Sequence, residues 1–129
     1  MKYNSLIPEL TVSNIAKSKD FYLRILGFKL EYERSEDKFA FISYENLQLM
    51  IQEENHVWDV GPLTYPYGNG INFEMTVSDV EKLYERVLSY KITLFRPLTI
   101  KFYRNNEELI EQHEFLIQDP DGYLLRFTD

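Results

Sequence analysis

The chain has 129 residues, 44% of them hydrophobic, and a formal net charge of −7. That is the size of one ordinary domain with enough apolar material for a real core, and no run reaches the ~18 to 20 apolar residues of a membrane helix. The acidic balance, unrelieved by any Lys/Arg run, opposes nucleic acid and anionic lipid surfaces, favours cationic or neutral small partners, and the absence of cysteine excludes disulfide frameworks and thiolate chemistry.

In chain order, MKYNSLIPEL lacks the basic-then-apolar order of a signal peptide, so a cytoplasmic protein is expected. LIPELTV is short and β-rich. Ser13 or Asn14 then offers an N-cap to a helical pattern through Ile15, Phe21, Tyr22, Ile25 and Leu26. Gly27 ends that helix, because glycine accepts the positive φ of a helix C-terminus. FKLEYER, KFAFISY and LQLMIQE are expected as three strands, the last two joined by a turn near Glu45 and Asn46. The Gly-, Pro- and Tyr-rich GPLTYPYGNG is a linker or ordered loop. INFEMTV is the next strand, Asp79 the next cap and VEKLYERVLS the second helix. ITLFRPL and IKFYR follow as strands, with His113 placed ahead of the next one, and EFLIQ-DPDG-YLLRF closes as a hairpin whose Pro and Gly supply fixed and permissive φ.

TVSDVEKLYERV from Thr76 nearly repeats TVSNIAKSKDFYLRI from Thr11. Thr11, Val12, Ser13 and Lys17 recur as Thr76, Val77, Ser78 and Lys82; after a slip of three residues, Phe21, Tyr22, Arg24, Ile25 and Leu26 face Leu83, Tyr84, Arg86, Val87 and Leu88. One duplicated supersecondary unit explains this better than a solenoid or propeller, which need more copies. Module 1 is read as about 1–55, a linker as about 56–70 and module 2 as about 71–129. Strand alternation places Ile71, Phe73, Met75 and Val77 beneath the helix and Asn72, Glu74 and Thr76 on the opposite face; Leu10 and Val12 against Glu9 and Thr11 copy the plan, so Glu9 and Glu74 are repeat partners. That second face is either a plain solvated side or the lining of a cleft.

IPELTVSNIAKSKDFYLRILGF, KFAFISYENLQLMIQEE, GINFEMTVSDVEKLYERV and EFLIQDPDGYLLRF together resemble the vicinal oxygen chelate (glyoxalase/bleomycin resistance/dioxygenase) superfamily, and within it the bleomycin resistance, drug-binding branch. The resemblance implies an α+β fold of two βαβββ modules whose curved mixed sheets form a cup, with a homodimer enclosing its ligand crevices. It also implies where a divalent metal would sit in the superfamily's enzymes. Matching positions here are Ile7, Asn72, Arg126 and, within a residue or two, Met50, which offer no metal site. His56 and His113 are not spaced as ligands; a site of Glu9, Glu74 and Glu114 is the remaining possibility for a metal. No nucleophile elbow and no phosphate loop is present.

The reading is therefore a non-catalytic protein without cofactor that sequesters a flat cationic or metal-chelating ligand, a bleomycin-like drug for example, in an aromatic and acidic crevice. By resemblance, Phe39 is the aromatic that stacks on such a ligand; Phe41, Met50, Trp58, Asn72, Glu9, Glu74, Tyr103 and Arg126 complete the candidate lining. Trp58 is either a loop anchor or a ligand wall, and Arg126 either pairs with a carboxylate or engages an anionic group. Glu111 stands where some drug-binding relatives carry a tryptophan, which argues against bleomycin itself. The rival reading is a metal-dependent enzyme of the same superfamily with a rebuilt site; a third is a regulatory module with an acidic protein-binding surface.

Overall fold

A computed structural model describes residues 1–129. Contacts divide the chain into two units, Met1–Tyr67 and Gly68–Asp129, and each has the order βαβββ. The fold is thus α+β, with two four-stranded mixed sheets and few helices.

In the first unit, β1 (Glu9–Val12) leads into α1 (Ile15–Lys19), which opens where the Asn14 side chain accepts a hydrogen bond from the Lys17 amide. Asn14 has extended φ and ψ, so the cap satisfies one amide that the helix cannot. The helix then continues as wide π turns over Asp20–Ile25, with Leu26 N–H donating to the Phe21 carbonyl five residues back. These wide turns begin where the sequence repeat slips by three residues, so the extra residues are taken up by a wider helix rather than a loop. Gly27, at φ 86°, turns the chain out of it. β2 (Lys29–Arg34), β3 (Phe39–Tyr44) and β4 (Leu47–Glu53) follow, giving the strand order β1-β4-β3-β2 with β1 parallel to β4.

The second unit repeats this topology. β5 (Asn72–Thr76) precedes α2 (Val80–Ser89), capped by the Asp79 carboxylate accepting from the Lys82 amide. β6 (Arg96–Asn105), β7 (Glu108–Gln118) and β8 (Leu124–Thr128) complete the order β5-β8-β7-β6, again with first and last strands parallel. Between β7 and β8, buried Asp119 accepts hydrogen bonds from the Asp121 and Tyr123 amides, and Gly122 takes φ 98°. Short polar side chains and a permissive glycine fix that reversal.

Each sheet buries one face against its helix. Leu10, Val12, Ala40, Ile42 and Ile51 of the first sheet are buried, as are Phe21, Tyr22, Ile25 and Leu26 of the helical segment, with the Tyr22 and Phe28 rings meeting edge-on. In the second, Met75, Phe115, Ile117, Leu125 and Phe127 are buried with Val80, Leu83 and Val87 of α2, and Tyr84 packs on Phe115. Full burial of such side chains is worth roughly 1.5–3 kcal/mol each before entropy is counted.

Four readings of the sequence are corrected. Ile71 precedes β5 and is 56% exposed rather than packed beneath α2. ITLFRPL and IKFYR are not separate strands: Arg96–Asn105 is one, with a register shift between Arg96 and Thr99 next to Pro97, whose missing N–H interrupts the ladder. β7 begins at Glu108 rather than near Glu114, because NNEE forms a turn with Asn106 at φ 59° and extends the hairpin. His113 consequently lies inside a strand.

Replacing either cap residue, Asn14→Ala or Asp79→Ala, is expected to lower stability by about 1 kcal/mol, while Asn14→Ser and Asp79→Ser cost much less. Urea midpoints read by circular dichroism measure this; equal loss with alanine and serine would mean that the caps contribute nothing.

Candidate functional site

The face of the second sheet that turns away from α2 collects the polar groups. Period-2 alternation puts Asn72 and Glu74 of β5, Leu124 and Arg126 of β8, and Glu114 and Leu116 of β7 on this face. Strand register then places Glu74 directly opposite Arg126, whose guanidinium Nη2 lies 3.7 Å from the Glu74 carboxylate. From β6, Tyr103 leans back along the hairpin and its hydroxyl donates to Glu114 Oε1 at 2.5 Å.

Asn72, Phe95, Arg96, Tyr103, Glu114, Leu116, Leu124 and Arg126 line a recess of about 270 Å³. Glu114 is only 2% exposed, and its second oxygen has no hydrogen-bond partner; neither does the buried Nε of Arg126. A buried carboxylate oxygen and a buried guanidinium N–H without partners are costly, because neither atom replaces the water it gave up. The accepting carboxylate beside Tyr103, followed by burial, raises the Tyr103 phenol above its ordinary range. At neutral pH that hydroxyl is a fixed donor.

The first sheet carries aromatic groups on its corresponding face. Glu9, Met50, Phe41 and Tyr32 form one row across the strands, and Gln52, Phe39 and Arg34 the next. Tyr32 stacks on Phe41 with centroids 5.2 Å apart, Tyr3 meets Phe41 edge-on at 5.5 Å, and the Arg34 guanidinium lies 4.0 Å over the Phe39 ring. Phe39, the expected stacking residue, is 3% exposed and covered by a cation of its own unit. Burial raises the Glu9 carboxyl, a shift that the nearby Arg34 charge opposes.

The structure therefore gathers the candidates into two groups: Asn72, Glu74, Tyr103 and Arg126 in the second unit, and Glu9, Phe39, Phe41 and Met50 in the first. Trp58 belongs to neither and stands 65% exposed in the segment between β4 and β5. Sequence reasoning missed Tyr32, Arg34, Phe95 and Arg96. The first two alternate correctly within FKLEYER and could have been placed with KFAFISY opposite; Phe95 and Arg96 were hidden by reading ITLFRPL as a strand of its own.

The donors on these faces do not suit a divalent cation. Asn72 and Met50 supply an amide and a thioether, Arg126 brings a positive charge to the side of Glu74, and no three His, Asp or Glu side chains are grouped to hold a metal. His113 is engaged elsewhere: its Nδ1 lies 2.6 Å from Asp129 Oδ2, its amide donates to Asp129 Oδ1, and Glu111 Oε2 is 3.6 Å from Nε2. His56 is exposed and pairs with Asp59.

Comparison with known proteins agrees with this architecture. A family model described as the Glyoxalase/Bleomycin resistance protein/Dioxygenase superfamily matches residues 5–127, and the chain belongs to that superfamily. It is 29% identical over 124 residues to a lactoylglutathione lyase of Neisseria meningitidis serogroup A, covering 92% of this chain and 84% of the relative. Among solved structures it superposes on TioX from Micromonospora sp. ML1 with a TM-score of 0.77 at 19% identity, covering 98% of each chain. A glyoxalase/bleomycin resistance protein/dioxygenase from Alicyclobacillus acidocaldarius gives a TM-score of 0.69 at 23% identity, over 97% of this chain and 89% of the other. These two likenesses concern the fold. No helix is long and apolar enough to cross a membrane.

The Asp129 carboxylate raises the His113 imidazole, with Glu111 and Glu81 adding to the effect, while the His113 amide and ring lower Asp129. His113 thus stabilises below its unfolded value of about 6.5 and loses that contribution as pH rises through its elevated folded value; Asp129 stabilises above about 3.9 and fails as pH falls through its lowered one. Asp129→Asn, which keeps an acceptor for the amide, is expected to lower the denaturation midpoint near pH 5 to 6 and to have little effect at pH 9. An equal loss at both pH values would show that the pairing is not electrostatic.

Proposed function

We propose that this protein binds a small organic molecule and holds it chemically unchanged. Glu114 carries the reading: a carboxylate 2% exposed, with one oxygen held by Tyr103 and the other unpaired, in the lining of a recess to which Arg126, whose buried Nε is also unpaired, contributes. Buried polar groups are retained without partners where a bound ligand repays the desolvation. The Tyr103 phenol, raised rather than lowered, serves as a positioned donor and not as a base.

The ligand that suits an acidic chain is flat and cationic or metal-chelating, and a bleomycin-like drug is its first representative, with antibiotic resistance as the consequence of sequestration. The Phe95 ring in the recess supports an aromatic contact. Ile100, Phe102 and Leu109 are exposed on the long β6–β7 hairpin and support assembly into a homodimer. One observation favours a second reading as an enzyme: the 29% identity to lactoylglutathione lyases over most of both chains.

Calorimetric titration with copper-loaded bleomycin and with a panel of flat cationic compounds tests the first reading. Saturation near one ligand per chain, weakened at least tenfold by Glu114→Gln, is the expected result; turnover in a lactoylglutathione lyase assay supplied with divalent metal would displace it in favour of the second.

A further inference from the structure

The recess of the second unit is not uniformly acidic, although the chain is. The charged groups of its lining are Arg96 and Arg126 against Glu114, and Glu74, outside the lining, pairs with Arg126, so both signs of charge meet there. Arg126 also bears on the Tyr103 hydroxyl, yet the charged groups are not fully used up against one another. Arg126 approaches Glu74 through Nη2 at 3.7 Å and leaves its buried Nε–H without an acceptor, while Glu114 leaves Oε2 without a donor. Arg96 has its guanidinium 5.5 Å from the Phe95 ring centroid, a position that holds it at the recess rim without consuming its donors.

From this we infer that the recess takes a zwitterion: a small molecule that presents a protonated amine to Glu114 and a carboxylate, or an equivalent oxyanion, to Arg126 and Arg96. The inference rests on the binding function proposed above and puts a smaller, doubly charged ligand in place of the flat cation. A lone cation would answer Glu114 and leave the Arg126 Nε–H buried and unpaired; a lone anion would do the reverse. A zwitterion satisfies both. Size points the same way. A space of about 270 Å³ admits a molecule of amino-acid dimensions. Tyr103 holds Glu114 Oε1 and leaves Oε2 to the amine, and Phe95, Leu116 and Leu124 give the ligand's carbon skeleton an apolar wall.

The test uses the full chain, isotope-labelled, with resonances of Tyr103, Leu116 and Leu124 followed by NMR. The probes are the twenty protein amino acids and, for each one that binds, its methyl ester as the cation-only form and its N-acetyl derivative as the anion-only form. Zwitterions are expected to shift the recess resonances saturably, with affinity falling roughly tenfold to hundredfold for either blocked form. Glu114→Gln, which keeps an acceptor for Tyr103, and Arg126→Gln should each cause a loss of the same order. Arg96→Gln, at an exposed position, gives a smaller loss in a protein whose folding it leaves alone. If the esters bind as tightly as the parent amino acids, the site is a cation site; the zwitterion is then refuted and the broader binding function stands. If no probe moves the recess resonances while a flat cation does bind the protein elsewhere, the zwitterion is again refuted. If neither these probes nor flat cations bind, both readings fall.

Discussion

A single helix laid across one face of a four-stranded sheet is the constraint on which each unit of this protein depends. Strand side chains alternate sides, so committing Leu10, Val12, Ala40, Ile42 and Ile51, or Met75, Phe115, Ile117, Leu125 and Phe127, to the helix necessarily commits their neighbours to the other face. The apolar seam supplies the stability. The other face is thereby released from packing duty beneath a helix, and there the two units diverge: aromatic and cation–π contacts in the first, opposed charges around a recess in the second.

The duplication makes this divergence legible as a physical division of roles. The strand order and the parallel pairing of first with last strand are the same in both units, because the same alternation and the same helix crossover are encoded in both. What differs is local. The first helical segment, which carries three extra residues, continues as a π helix that buries Phe21, Tyr22 and Ile25. The second unit instead lengthens its β6–β7 hairpin, and that length lets Tyr103 reach Glu114.

The chemistry of the recess follows from burial more than from residue choice. Glutamate and arginine are ordinary on a sheet surface, but removing them from water while leaving Glu114 Oε2 and Arg126 Nε unpaired stores a demand for hydrogen-bond partners. In the first unit the comparable polar groups are satisfied internally: Arg34 lies on Phe39 and Ser43 donates to Glu31. The same fold thus offers one closed face and one with open valence. Arg126 brings a guanidinium rather than a further carboxylate to the side of Glu74.

By itself the sequence determined the repeat, the βα start of each unit, the Asp79 cap and the face on which Glu9, Asn72 and Glu74 stand, because these depend on spacing along the chain: a period of two in strands, of 3.6 in helices, and short polar side chains at helix starts. Tertiary structure alone decided three other matters. Phe39 is packed beneath Arg34, Arg96 joins the recess at the start of one long strand rather than inside a separate ITLFRPL strand, and Glu114 lies almost fully buried with an oxygen to spare. Each depends on which strands pair and in what register, and therefore on long-range contacts that spacing along one strand does not encode.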